Sequence, residues 1–258
     1  EIFQQRLAKS AARDASGADG GASDGGAPVA AASAPPPSTS SLAASSSNRG
    51  VGGGGPPAHR CELPDHPLQA GCTAVVVVAS PTKNTLWCAN AGDSRAVACR
   101  AGVAVELSRD HKPDAPTEER RIVAAGGYVE CANGFFRVNG NLNLSRSIGD
   151  LKYKQDATRP PAEQIITAEP DVTTFHVDPE RDEFVVIACD GVYDVLSSQD
   201  LVDFVKERLP AARPLSSIAE AVFDRCLAEN PRETRGIGGD NMSLIIVKFN
   251  HAGRVVAE

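Results

Sequence analysis

The chain has no Cys-x-x-Cys pair, no apolar stretch near the roughly 20 residues of a membrane span, and no surplus of positive charge. Each absence removes a class of function. Without paired cysteines, the seven present do not read as a zinc site or a disulfide framework. Cys72, Cys88, Cys99 and Cys189 lie inside apolar runs and read as small buried hydrophobes of a reducing compartment, cytoplasm or nucleus. Without a membrane-length run, a spanning helix is not expected. A net charge of −7 argues against a general nucleic-acid binder, because phosphate backbones are neutralised by Lys and Arg. An acidic chain still acts on a phosphate when metal ions offset the repulsion. No signal peptide is visible, and the first residue is Glu1 rather than Met, so the expected natural start lies upstream.

What is present begins with a compositional boundary. Ile2, Phe3, Arg6 and Leu7 stand at helical spacing, so residues 1–9 read as the tail of a truncated helix. From Ser10 to Ala58, 39 of 49 residues are Ala, Gly, Ser or Pro, too few apolar groups to offset the entropy of ordering. Residues 10–66 are therefore expected to be a disordered low-complexity insertion. Residues 67–250 carry the folded domain, and 251–258 a tail. Within the domain, Cys72–Ala79, Asn84–Ala91, Arg95–Arg100 and Val103–Leu107 predict an antiparallel meander. A short helix follows from Glu118 to Ala125, with Thr117 as its cap. Residues 133–167 look irregular and polar. Asp171–Val177 and Glu183–Cys189 predict two more strands. A helix capped by Ser197 or Ser198 buries Leu201, Phe204, Val205 and Leu209, and a second begins after Pro214. Asn241–Phe249 predicts the last strand. Strands do not alternate with helices, which points to an α+β fold of antiparallel sheets flanked by helices. A monomer is expected.

Two aspartates lie at the ends of apolar runs. Asp190 follows Phe184–Cys189 directly, and Asp240 precedes Asn241–Val247 directly. If these runs pair antiparallel, the end of the first lies beside the start of the second, and both carboxylates reach one edge of the core. Oxygen donors of this kind, few in number, suit a hard divalent cation such as magnesium.

Four short motifs surround this pair: Gly92-Asp93-Ser94-Arg95, Asn143 to Asp150, Ala188-Cys189-Asp190-Gly191-Val192-Tyr193-Asp194, and Gly239-Asp240-Asn241-Met242-Ser243. In this order, and with Asp110-His111-Lys112-Pro113, Ala125-Gly126-Gly127 and Arg137-Val138-Asn139-Gly140, the chain from Gly71 to Phe249 closely resembles the metal-dependent protein serine/threonine phosphatases of type 2C, the PPM family. The resemblance implies an antiparallel β-sandwich flanked by helices in four layers, α-β-β-α. It implies Mg2+ or Mn2+ as cofactor, two ions per complete site with a third, weaker position. Asp190 and Asp240 match metal ligands, and Asp93 the aspartate of the weaker position. Arg146 borders the cleft in a segment that similar enzymes use to engage substrate, and residues 133–167 become the flap. Phosphoproteins are the implied substrates, hydrolysed by hydroxide bridging two ions without an enzyme nucleophile.

The family pattern has an N-terminal half as well: an arginine for the phosphate, a Glu-Asp pair and an Asp-Gly-His segment. None precedes Cys72, and Asp19-Gly20 and Asp24-Gly25 lack the following His. The expectation is a piece of a longer protein, inactive alone, with its N-terminal layer missing. The alternatives are a pseudophosphatase of the same fold that acts by binding, and a bare interaction module. Residue by residue, Asp93 alone could brace its turn, and Arg146 could pair with Asp150. Asp194 reads as a helix-entry or packing residue rather than a ligand, His111 as structural and Trp87 as core. Tyr193 and Ser243 stand where many relatives carry Trp and Thr.

Overall fold

The computed structural model describes residues 70–250 except 81, 133, 212 and 213, together with the strand Val255–Val256. The expected helix tail at 1–9 and insertion at 10–66 lie outside the described residues.

In chain order the strands are β1 (Gly71–Cys72), β2 (Ala74–Ser80), β3 (Thr85–Ala91), β4 (Arg95–Arg100) and β5 (Val103–Glu106). Helix α1 (Pro116–Ala124) is followed by β6 (Val129–Ala132), β7 (Phe135–Val138), β8 (Ile148–Gly149), β9 (Asp171–His176) and β10 (Asp182–Ala188). Then come α2 (Asp190–Tyr193), α3 (Ser198–Arg208), α4 (Leu215–Cys226), β11 (Leu244–Phe249) and β12 (Val255–Val256). A five-stranded sheet has the order β12-β11-β10-β4-β5, and a three-stranded sheet the order β2-β3-β9. Every pairing in both is antiparallel.

The two sheets pack face to face. Leu86 and Cys88 of β3 and Phe175 of β9 meet Ala96, Ala98, Val185 and Phe249 of the larger sheet. On the larger sheet's other face, Val97, Cys99, Phe184, Val186 and Ala188 pack against Leu201, Val202, Val205, Ile218, Val222 and Cys226 of α3 and α4. Strand β10 is thus covered on both faces, which is why its sequence is a continuous apolar run rather than an alternating one. Helix, sheet and sheet form three of the expected layers. The continuous valine-rich run of β2 suggests a buried strand, but β2 is an edge strand, and Val76 and Val78 on the outer face of the smaller sheet are exposed.

Local sequence explains most element ends. Helix α3 starts with a reciprocal capping box: Ser197 Oγ accepts from the Asp200 amide, and Asp200 accepts from the Ser197 amide. Helix α1 departs from expectation. Its N-cap is Ala115, with no side-chain cap, and Thr117 lies inside the helix. Pro116 starts it instead, its fixed φ suited to the first helical position. The stretch 133–167 is less irregular than its composition suggests. It contains β7, β8 and two single turns of 3-10 helix, and β7 pairs with β6. It also shares a small core of Ile122, Val138, Tyr153 and Ile166 with α1. Of the cysteines placed in apolar runs, Cys88 and Cys99 are buried, but Cys72 is exposed because β1 is a two-residue strand outside the two main sheets.

Candidate metal centre

Strand register brings the acidic residues to one edge. Ala188, the last residue of β10, pairs with Leu244 at the start of β11 and with Arg95 at the start of β4. Asp190 leaves β10 where Asp93 enters β4 and the segment carrying Asp240 enters β11. Strand β5 pairs Glu106 with Val97, so Asp110-His111-Lys112 emerges at the same edge. The antiparallel neighbourhood expected for the two apolar runs is present. Strand β11, expected as the last strand, begins at Leu244, three residues later than expected, with Asn241–Ser243 leading into it, and β12 follows it.

Gly191 closes the junction. A Cβ on it would lie 2.4 Å from the Asn241 carbonyl oxygen, inside any allowed contact. Beside it, the Cys189 amide donates to the Ser243 carbonyl at 3.2 Å. Glycine at 191 therefore lets the start of α2 lie against the segment that follows Asp240. Gly191→Ala is expected to lower stability by about 1–3 kcal/mol through overpacking and to weaken Mn2+ binding, read by thermal melting and calorimetric titration. A Gly191→Ala protein as stable as the parent would contradict this close approach.

Asp93 is buried in the turn between β3 and β4, where Gly92 has φ +127° and faces Thr73 too closely for a Cβ. Its carboxylate accepts from Lys112 Nζ at 2.7 Å. Asp190 is half-buried, and Asp194 and Asp240 are exposed. Burial, then the nearby charges of Asp93 and Asp194, push the Asp190 carboxyl up to about 6; Asp240 adds to this, and Lys112 opposes it. Asp194, read as a helix-entry residue, closes α2 at its C-cap, and it belongs to this electrostatic group. Four carboxylates facing one ammonium make a site short of positive charge. Their oxygens are the donors a hard cation takes, with water filling the remaining positions. Among the described residues, no three His, Cys, Asp or Glu side chains form a ready-made cage.

Arg95 ties the motifs together. It makes a two-pronged pair with Asp110 at 2.9 and 2.8 Å, donates to Ser198 Oγ at 2.9 Å, and lies 4.6 Å from the Tyr193 ring centroid. One guanidinium thus fixes three of the segments that meet at the edge.

Arg146 lies elsewhere in its chemistry. It is buried, and its guanidinium donates to Glu118 at 3.0 and 2.6 Å, to Asp171 at 2.9 Å and to the Glu169 carbonyl at 3.0 Å. Its acidic partners are Glu118 and Asp171, whereas Asp150 accepts from Ser147 Oγ. Glu118 also accepts from Arg121 and Ser145. Burial alone would raise the Glu118 carboxyl, but Arg146, Arg121 and Ser145 outweigh it and hold it at about 2. His111, read as structural, is buried here too. Its Nδ1 accepts from the Gly92 amide at 3.1 Å, so Nε2 carries the proton toward Asp171 at 3.1 Å. In the sequence Lys112 stands out only as part of a motif and Glu118 only as a helix start. The signal that could have found Lys112 was the lone cation of Asp110-His111-Lys112-Pro113 in a chain with so many carboxylates at one edge.

Comparisons with known proteins identify the family. A family model described as Protein phosphatase 2C matches residues 57–234. A relative from Schizosaccharomyces pombe, Protein phosphatase 2C homolog 2, is 49% identical over 182 residues, covering 70% of this chain and 47% of the relative. A relative of the same name from Saccharomyces cerevisiae is 47% identical over 189 residues, covering 73% of this chain and 40% of the relative. A solved phosphatase from Toxoplasma gondii superposes with a TM-score of 0.55 at 34% identity, over 67% of this chain and 50% of that one. The chain spans about half the length of the curated relatives it matches.

Proposed function

The chain belongs to the protein phosphatase 2C family, and from that membership we propose that it carries the C-terminal part of a metal-dependent protein serine/threonine phosphatase domain. Its substrates are phosphoserine and phosphothreonine in proteins. The supporting observation is the convergence of Asp93, Asp190 and Asp240 on one sheet edge with a deficit of positive charge.

Asp190 and Asp240 would hold a Mg2+ or Mn2+ ion, and Asp93 a further, weaker one. When bound, such ions lower the pKa of water and shield the charge of a phosphoryl group. The chain's own residues supply the frame. Gly191 lets the segments bearing the two ligands approach, Arg95 locks the flanking motifs, and the Glu118–Arg146–Asp171 network anchors the flap segment to α1 and β9. Among the described residues, the buried cysteines are poorly suited to attack phosphorus: burial raises Cys88 and Cys99 to about 11 and shifts Cys226 upward, so they stay protonated.

The test is phosphate release from a phosphothreonine peptide by the complete protein, with and without Mn2+. Release that depends on Mn2+ and stops with chelator is expected. The 258-residue chain by itself is expected to release little, because no Asp-Gly-His segment occurs in it. A complete protein that binds Mn2+ and phosphopeptide yet releases no phosphate would establish the pseudophosphatase reading instead.

A further inference from the structure

The ammonium of Lys112 occupies the carboxylate assigned to the weakest cation position. Its Nζ lies 2.7 Å from Asp93 Oδ2, and the Asp93 side chain is only 3% exposed, so a cation binding at that oxygen competes with the ammonium. The Lys112 side chain is 38% exposed, but the backbone that carries it is fixed in place. Its neighbour His111 is docked on the Asp93 turn by two hydrogen bonds, the His111 amide to the Gly92 carbonyl at 3.0 Å and the Gly92 amide to His111 Nδ1 at 3.1 Å. A backbone turn from the Ala115 amide to the Lys112 carbonyl at 3.1 Å holds the other side. The same ammonium also acts on Asp190 and Asp194 through space.

We propose that Lys112 is a built-in counter-cation of Asp93 which a divalent ion must displace, and that this competition sets the affinity of the Asp93 position. The proposal rests on the reading that this sheet edge binds divalent metal. Two consequences follow from charge. With no ion present, Lys112 spares the buried Asp93 an unpaired charge. With an ion arriving, the lost charge-assisted hydrogen bond is subtracted from the binding energy.

The test is Mn2+ titration of the complete protein by calorimetry, comparing the parent with Lys112→Met, Lys112→Gln, Lys112→Arg and Asp93→Asn. Lys112→Met and Lys112→Gln are expected to tighten the Asp93-dependent Mn2+ site by about tenfold or more. Lys112→Arg keeps the charge and is expected to behave as the parent. Adding Asp93→Asn to Lys112→Met is expected to abolish the gain. Misfolding weakens binding, so a gain of affinity cannot arise from it, and Lys112→Gln preserves side-chain polarity should Lys112→Met not fold. Unchanged or weaker Mn2+ affinity in a folded Lys112→Met or Lys112→Gln chain overturns the proposal while leaving the metal reading intact. Failure of every variant and of the parent to bind Mn2+ overturns the metal reading, and the proposal with it.

Discussion

Asp190→Asn is expected to remove Mn2+ binding while making the metal-free protein more stable. Asparagine keeps the shape of the side chain and loses its charge. Loss of one carboxylate from so sparse a donor set is expected to cost about 100-fold or more in Mn2+ affinity. The stability effect has the opposite sign. In the folded chain the Asp190 carboxyl is pushed from 3.8 up to about 6, first by burial and then by Asp93 and Asp194. The folded state thus favours the proton, and the ionised group costs stability as the pH rises through about 6. The shift corresponds to about 3 kcal/mol, which partial exposure screens to about 1–2 kcal/mol. Thermal melting near neutral pH should show Asp190→Asn melting above the parent without metal. Added Mn2+ should raise the parent's midpoint through linkage and leave the variant's unchanged. A variant that keeps the parent's Mn2+ affinity would remove Asp190 from the site.

The second large effect concerns Glu118, which holds two guanidinium groups inside the protein. Glu118→Ala leaves Arg146 and Arg121 without their shared carboxylate, and is expected to cost about 3–5 kcal/mol in urea unfolding. Acid should reproduce part of this. The folded Glu118 carboxyl sits at about 2, below its ordinary 4.5, despite the opposing effect of burial. Its contribution, about 3 kcal/mol, is therefore complete above about pH 4.5 and is lost as the pH falls toward 2. Glu118→Gln should flatten that part of the stability profile. The same network decides the role of Arg146. Arg146→Met is expected to lower stability and to couple with Glu118→Gln in a double-mutant cycle. If Arg146→Met instead leaves stability intact and raises the KM of the complete protein for phosphopeptide, Arg146 contacts substrate after all.

The flap shows where a sequence reading loses resolution. Glycines and prolines in 133–167 mask a hairpin partner strand at Phe135–Val138 and a core built on Ile122 and Ile166. The side chains of that core come from α1, β7, a single 3-10 turn (Leu151–Tyr153) and a loop, so no single periodicity runs through them. Thr117 failed as a cap for a related reason: capping preference is local, but Pro116 had already set the helix start.

The sequence alone determined most strands and helices outside 128–167 and, given antiparallel pairing of their runs, the shared edge of Asp190 and Asp240. Those features follow from side-chain periodicity and from the alternation of antiparallel strands, both short-range rules. Charge pairing was decided only by the tertiary structure. Lys112 meets Asp93 from 19 residues away, and Arg146 meets Glu118 from 28 and Asp171 from 25. An ion pair forms where packing brings two groups together and strips their water, and no local pattern of residues encodes that meeting.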